Sequence, residues 1–276
     1  MSIPAPARAG NPCRRRRQTA GVPAPRTDCG TSIIAVRGES CHPADNPAHS
    51  MTTTVLADML RESLWGRALT PAQLQRVEAA MVERRVATGE YVCRKGEPAQ
   101  HWIGILDGLV KMAGLSATGK LTTFTGLPAG AWFGEGSLLK DEPRRYDVVA
   151  LRDSRVALMP RATFAELLDD SIAFNRFLLL QLNERLGQFI GQIEHDRLLS
   201  VEARVARCLA AMFNPYLYPG TAMQLKLSQE EIGYLSDLSR QRVNQALKAL
   251  EQARLVEVAY GGIVVLDLPG LRNFGG

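Results

Sequence analysis

The sequence predicts an α+β fold in which a jelly-roll-like β-roll is followed by a long helix and a C-terminal winged helix-turn-helix. Three observations lead to this prediction. Short apolar stretches alternate with glycines between residues 82 and 159, as in sandwiches and barrels. Residues 172–199 keep a helical apolar period without a break. Residues 228–266 then follow the pattern of helix, tight turn, helix and hairpin.

Length and composition fit a globular protein of about two domains. The chain has 276 residues, of which 46% are hydrophobic and 22% are charged. No apolar run approaches the roughly 20 residues that a membrane-spanning helix needs. The five cysteines are irregularly spaced and form no C-x-x-C pair. The sequence therefore predicts a cytoplasmic protein with reduced thiols, no metal site and no membrane segment.

Changes in composition and in apolar periodicity along the chain divide it into four segments. The predicted boundaries are 1–50 for a tail, 51–170 for the β-roll domain, 171–199 for the long helix and 200–276 for the winged helix-turn-helix domain. Within the second segment, "TPAQLQRVEAAM" is predicted to be a helix, because Thr70 can cap it and Pro71 suits its first turn. "ATFAELLDD" and "VEARVARCLAAMF" predict helices before and after the long one.

The first 50 residues are predicted to be a disordered basic tail. Clustered proline, glycine and arginine leave no apolar period to offset the entropy of ordering. Seven arginines against three acidic residues give this segment +4 of the net charge of +5, so the total charge says nothing about the folded part. Two interpretations stay open: a basic arm that contacts nucleic acid, or a plain leader that is absent when translation starts at Met51.

The long helix has the spacing of a dimerisation helix. Ile172 and Asn175 lie on the same seam, where one polar residue can fix the register. The alternative is a single helix that packs on the β-domain through Phe174, Phe177 and Leu178. We expect both faces to be used and the protein to form a homodimer. The predicted dimer interface, at steps of three and four, is Leu179, Leu182, Leu186, Phe189 and Ile193.

The stretch from Ser239 to Leu250 predicts a helix with one apolar and one polar face. Ser228, with Glu231 three residues later, forms a capping box for the preceding helix, and Ser239 caps this one. On a helical wheel Val243, Ala246, Leu247 and Leu250 share one arc, which must face the core. The predicted DNA-binding residues lie on the other side and at its edges: Ser239, Arg240, Gln241, Arg242, Asn244, Gln245 and Lys248.

The chemistry of this polar face suits double-stranded DNA. Amide side chains can bond adenine edges in pairs of hydrogen bonds, arginine can bond guanine edges, and peripheral cations meet phosphates. The alternative is the solvent-facing helix of a protein-interaction module. A plain solvent face more often contains glutamate, and the outward side of this helix contains none before Glu251. We therefore expect DNA to be the partner.

Two motifs in this order resemble the Crp/Fnr family of bacterial transcription regulators. "GTAMQLKLSQEEIGYLSDLSRQRVNQALKALEQARLV" is similar to its DNA-binding signature, and "AGAWFGEGSLLKDEPRRYDVVALRDSRVALM" resembles its cyclic-nucleotide-binding cassette. The resemblance implies a β-roll sensor, a dimer helix, two DNA half-sites about one helical turn apart and contact with RNA polymerase. Arg240, Gln241 and Gln245 match the base-reading positions. Because the cyclic-AMP receptor type has Glu and Arg where Gln241 and Gln245 stand, we expect a different operator.

The same resemblance implies an effector pocket in which a carboxylate accepts a ribose hydroxyl and an arginine meets a phosphate. Arg145 and Tyr146 stand where the family has a hydroxyl and a small residue. Three interpretations stay open: a cyclic nucleotide in an altered pose, a different and anionic effector, or a pocket filled by its own side chains with Glu135 paired to Arg144 or Arg145. The predicted effector-binding residues are Phe133, Gly134, Glu135, Gly136, Ser137, Arg144, Arg145 and Tyr146.

Other cofactors and activities find little support in the sequence. Cys13, Cys29 and Cys41 are too scattered for an iron–sulfur cluster, and His101 and His195 are not convincing haem ligands. The chain has no Walker A loop, dinucleotide-binding glycine motif, H-E-x-x-H or nucleophile elbow, so no enzyme is expected. The alternative function is a cyclic-nucleotide-binding module that regulates a protein partner.

Overall fold

The structure is a computed structural model that describes residues 56–115 and 121–275. The predicted basic tail and Met51 lie outside the described residues. The described part begins with helix α1 (residues 56–62), a 3-10 turn (Gly66–Ala68) and helix α2 (Pro71–Ala80). Thr70 caps α2 in a capping box with Gln73, and Pro71 occupies the first turn, as the sequence predicts.

The β-roll consists of two four-stranded antiparallel sheets among the described residues. One sheet has the order β1-β8-β3-β6 and the other the order β2-β7-β4-β5. A short helix, α3 (Glu135–Leu139), follows β6. The strands are β1 (Val82–Val86), β2 (Tyr91–Cys93), β3 (His101–Asp107), β4 (Leu109–Leu115), β5 (Leu121–Pro128), β6 (Trp132–Phe133), β7 (Asp147–Ala150) and β8 (Ser154–Pro160). The predicted β-roll is confirmed.

Three helices follow the β-roll, and the third of them already packs in the core of the C-terminal domain. They are α4 (Arg161–Asp170), α5 (Ile172–Leu198) and α6 (Val201–Ala211). Ser171 separates the first two, and Ser200 caps the third by accepting a hydrogen bond from the Ala203 amide.

An aromatic cluster fixes α5 on the β-roll. Trp65, Trp102 and Trp132 pack closely at tilted and edge-to-face angles, with ring centroids 4.4 Å apart for Trp102 and Trp132. Phe164 from α4 and Phe174 from α5 complete the cluster, and both are fully buried. Edge-to-face contacts among aromatic rings add to the stabilisation that burial provides. The inner face of α5 is thus held by the domain that precedes it.

The C-terminal domain is the predicted winged helix-turn-helix. A three-stranded antiparallel sheet of order β10-β11-β9 carries the wing. Val243, Ala246, Leu247 and Leu250 are buried in one apolar cluster, which confirms the helical-wheel prediction. The remaining elements are β9 (Gln224–Leu225), α7 (Gln229–Ser236), α8 (Arg240–Gln252), β10 (Val256–Ala259), β11 (Gly262–Val265) and α9 (Leu268–Asn273). Across the described ranges, no helix is both long enough and apolar enough to cross a membrane.

Candidate functional site

Local hydrogen bonds set the angle between α7 and α8. The Ser228 amide donates to Glu231 Oε2 at 2.7 Å, and the Glu231 amide donates to Ser228 Oγ at 3.2 Å, so the predicted capping box is present. Asp237 ends α7 in the left-handed region, at φ 53° and ψ 45°. A Cβ on Gly233 would lie 2.8 Å from the Leu238 carbonyl oxygen, so only glycine lets the turn close this tightly.

The outward face of α8 is free of internal contacts. Ser239 caps the helix, and its Oγ accepts a hydrogen bond from the Arg242 amide. Within the part of the chain that the structure describes, the side chains of the other predicted contact residues make no hydrogen bond or ion pair. Glu251, the acidic residue of α8, accepts the Val258 amide at 2.8 Å and so ties the helix to the wing. The exposed set is Ser239, Arg240, Gln241, Arg242, Asn244, Gln245 and Lys248.

The outward face of α5 is apolar. Ile172, Leu179, Leu186 and Ile193 recur every seven residues and are between 56% and 72% exposed. Ile190 is also exposed, at 58%. Large apolar side chains on the solvent side of a helix indicate that this side packs against a further partner.

Three residues of the predicted seam are turned towards the interior of the chain. Leu182 and Phe189 are half-buried, and Phe189 packs against the core of the β-roll. Asn175 donates from Nδ2 to the carbonyls of Leu168 and Ser171, so its amide is used inside the chain. The second apolar row therefore passes through Ile190, which the sequence analysis missed. A step of four residues from Leu186 was the available signal.

Arg144 is buried against the turn that begins α3. Its guanidinium donates to the Gly134 carbonyl at 3.0 Å and to the His101 carbonyl. Gly134 has a φ of 94°, and a Cβ there would lie 2.1 Å from a guanidinium nitrogen of Arg144. The arginine and the glycine therefore fit each other closely. Burial and the nearby Arg144 charge lower the pKa of His101, because both disfavour a second cation.

The other predicted pocket residues divide into an inner and an outer group. Glu135 is buried and accepts the Trp102 indole N–H at 3.3 Å. Ser137 and Phe133 are also buried. Arg145 instead faces solvent and pairs with Glu142 at 2.9 Å. The Glu135 pairing with Arg144 or Arg145, which belongs to one of the three interpretations, is not observed, because backbone carbonyls bind Arg144 and Glu142 binds Arg145.

Tyr146 lies among the charges of this inner group. Its pKa is raised, first by burial and then by the charge of Glu135, while Arg144 and Arg185 act in the opposite direction. Gly136 leaves open space, since a Cβ there would meet nothing within 4 Å. The inner group therefore presents a buried carboxylate, a buried guanidinium and a neutral phenol to one region of the β-roll.

A buried polar group that the sequence did not predict joins α5 to this region. Arg185, which is 7% exposed, donates to the Trp132 carbonyl at 3.2 Å and to the Tyr218 hydroxyl at 3.2 Å. Gln188 donates to Thr125 Oγ1 and to the same hydroxyl. Tyr218 belongs to the loop between α6 and β9. The sequence signal for this polar group was the spacing of Arg185 and Gln188 on one side of the otherwise apolar helix α5.

Two family models match the chain. The model "Cyclic nucleotide-binding domain" matches residues 83–171, and the model "Crp-like helix-turn-helix domain" matches residues 203–274. The first match contains the buried arginine and its turn, and the second contains α7, α8 and the wing.

Curated relatives and solved structures agree with these matches. The chain is 28% identical over 179 residues to the cAMP-activated global transcriptional regulator CRP of Haemophilus influenzae, covering 62% of this chain and 77% of the relative. It is 28% identical over 203 residues to the regulator Vfr of Pseudomonas aeruginosa, covering 70% and 92%. The structure of FixK2 from Bradyrhizobium japonicum matches with a TM-score of 0.60 and 21% identity, covering 71% of this chain and 98% of that one, which shows the fold.

The fit between Arg144 and Gly134 can be tested by the substitution Gly134→Ala. We expect it to lower the free energy of unfolding by about 1–2 kcal/mol, because the backbone is left-handed there and the added methyl group meets the guanidinium. Urea unfolding measures the change. Gly136→Ala is the matched control, and its effect should stay within about 0.5 kcal/mol. Equal stabilities of the two variants would contradict the proposed fit.

Proposed function

The chain belongs to the Crp/Fnr family of DNA-binding transcription regulators, and we propose that it acts as a homodimer that inserts two α8 helices into two major-groove half-sites. The observation that carries this proposal is the outward face of α8, where exposed amides lie between exposed cations with no internal partner. Such a face can read base edges in its centre and meet phosphates at its edges. The seven exposed residues from Ser239 to Lys248 are the proposed contacts.

The proposed dimer forms through the apolar outward stripe of α5. Leu179, Leu186, Ile190 and Ile193 are the proposed central contacts, with Leu182 and Phe189 at the inner margin. Because a two-fold dimer presents its two recognition helices symmetrically, the operator should contain two half-sites about 10 base pairs apart. We place this activity in the bacterial cytoplasm, where promoter DNA and RNA polymerase are found, and we assign the chain no catalytic role.

The proposed effector site is the inner group around Gly134, Glu135, Arg144 and Tyr146. Its ligand would be an anion that replaces the Gly134 and His101 carbonyls at the Arg144 guanidinium. The relatives CRP and Vfr are named as cAMP-activated. In this chain Arg145 stands at the position where the family supplies a hydroxyl. Its side chain faces solvent and pairs with Glu142. We therefore propose an anionic effector other than cyclic AMP.

Selection of binding sites from random DNA tests the proposed DNA recognition. The purified protein should enrich a motif with two-fold symmetry. On that site Arg240→Ala should cost about 1–3 kcal/mol and relax the preference at one base pair, because one bidentate base contact is lost. Arg67→Ala removes an exposed charge from the 3-10 turn before α2 and is the control. Enrichment of no motif, with or without cell extract, would contradict the proposal.

The proposed dimer interface can be tested with Leu186→Lys. We expect dimer dissociation to become about 100-fold or more easier, because an unpaired ammonium group would be buried by each protomer. Sedimentation equilibrium over a range of concentrations measures the change. Leu139→Lys replaces another exposed leucine, on α3, and should leave the association unchanged. A monomeric wild-type protein, or a fully dimeric Leu186→Lys variant, would count against this interface.

Isothermal titration with cyclic AMP and cyclic GMP tests the effector proposal. We expect no saturable heat from either nucleotide, because Tyr146 occupies the pocket region and the family's hydroxyl is replaced by Arg145. The Arg144→Met variant is the control for any heat observed. Stoichiometric heat with cyclic AMP in the wild-type protein that disappears in Arg144→Met would overturn the proposal.

A further inference from the structure

One face of α7 lies directly on the β-roll. Glu231, Tyr234 and Leu235 are spaced at i, i+3 and i+4, so they share one side of the helix. Each of the three meets a different residue of the β-roll. Because α7 leads into α8 through the tight turn at Asp237, whatever holds α7 also sets the position of the DNA-reading helix.

The first contact is an ion pair between Arg152 and Glu231. Arg152 follows β7, and its Nε donates to Glu231 Oε1 at 2.8 Å. The same guanidinium donates to the Lys226 carbonyl, just before α7. Glu231 Oε2 meanwhile accepts the Ser228 amide in the capping box. The Glu231 carboxylate therefore caps the first turn of α7 with one oxygen atom and binds Arg152 of the β-roll with the other.

The other two contacts lie on neighbouring strands. Lys111 on β4 is 6% exposed, and its ammonium group lies 4.5 Å from the centre of the Tyr234 ring. Gly126 on β5 is directly opposite Lys111 in the sheet. A Cβ on Gly126 would lie 2.8 Å from a methyl group of Leu235, so the missing side chain makes room for the helix. The contact surface is therefore continuous across β7, β4 and β5.

A second attachment lies beside this surface. Tyr218 is 1% exposed and packs in the core of the β-roll, although it belongs to the loop between α6 and β9. Its hydroxyl is 3.2 Å from Thr125 Oγ1, next to Gly126 in the sequence. The C-terminal domain therefore contacts the β-roll at a second point, beside the surface that α7 covers.

We propose that Arg152, acting through Glu231, is a positioning residue that sets the spacing at which the dimer reads its two half-sites. The inference rests on the proposed dimeric DNA-binding function. The β-roll takes its position from α5, α7 takes its position from the β-roll, and α8 follows α7. Loss of the Arg152–Glu231 contact leaves the base-reading side chains intact but lets the two α8 helices vary in separation.

Two substitutions separate this role from helix capping and from general stability. Arg152→Met removes the cation. Glu231→Gln keeps an oxygen for the Ser228 amide, because glutamine also serves in a capping box, but it removes the charge that faces Arg152. Arg155→Met is the matched control: Arg155 pairs with Glu83 at 2.7 and 2.8 Å, entirely within the β-roll. All three variants lose one ion pair of similar burial.

The measurement is selection from DNA in which two half-sites are separated by spacers of random length. Wild-type protein and Arg155→Met should enrich one spacing. Arg152→Met and Glu231→Gln should enrich the same half-site sequence over several spacings, and their affinity for the best wild-type spacing should fall about tenfold. A merely structural role would lower the melting temperature of all variants but would not change the spacing.

The outcomes distinguish this inference from the function on which it rests. If wild-type protein enriches half-sites but Glu231→Gln keeps its single spacing, the positioning role is wrong and the DNA-binding function stands. If wild-type protein enriches no half-site, the DNA-binding function fails, and the positioning role fails with it. Should Arg152→Met not fold, Glu231→Gln alone decides, because its capping box is retained.

Discussion

The whole arrangement depends on how the inner face of α5 packs into the aromatic cluster of the β-roll. Phe174 and Leu178 are at most 3% exposed there. Once that face is fixed, the rotation of the helix about its own axis is fixed too. The β-roll, rather than the helix alone, therefore decides which apolar residues of α5 face solvent. It turns Phe189 inward and leaves Ile190 outward.

The second constraint is electrostatic. Arg144 and Arg185 are both buried, and both donate to neutral oxygen atoms among the described residues. A buried guanidinium is costly unless dipoles or an anion compensate its charge. The backbone from Trp132 to Gly134 supplies carbonyl groups to both arginines, so this short segment connects the pocket to α5. An anionic ligand can compete with these carbonyl groups for the hydrogen bonds of a guanidinium group.

Features determined by local chemistry could be predicted from the sequence, and features determined by distant packing could not. The capping box at Ser228 and the buried arc of α8 depend on residues a few positions apart, and both predictions are confirmed. Which of Phe189 and Ile190 faces solvent depends on the packing of the β-roll beside α5, so helical spacing alone could not show that Phe189 is half-buried and Ile190 exposed. Likewise, the spacing of Glu135 and Arg144 could not show that carbonyl groups would satisfy the arginine. Arg185 and Tyr218 lie 33 positions apart and meet only in the fold.

The position of the tryptophans has a consequence for the fluorescence of the protein. The chain contains three, Trp65, Trp102 and Trp132, and all of them belong to the aromatic cluster. Trp102 donates its indole N–H to Glu135, and the Trp132 carbonyl accepts from Arg185. Tryptophan emission from the protein thus originates in this cluster, and one of its members, Trp102, contacts a residue of the proposed effector site. A ligand bound at the proposed site would change the surroundings of these indole rings, so intrinsic tryptophan fluorescence can follow its binding without an attached dye.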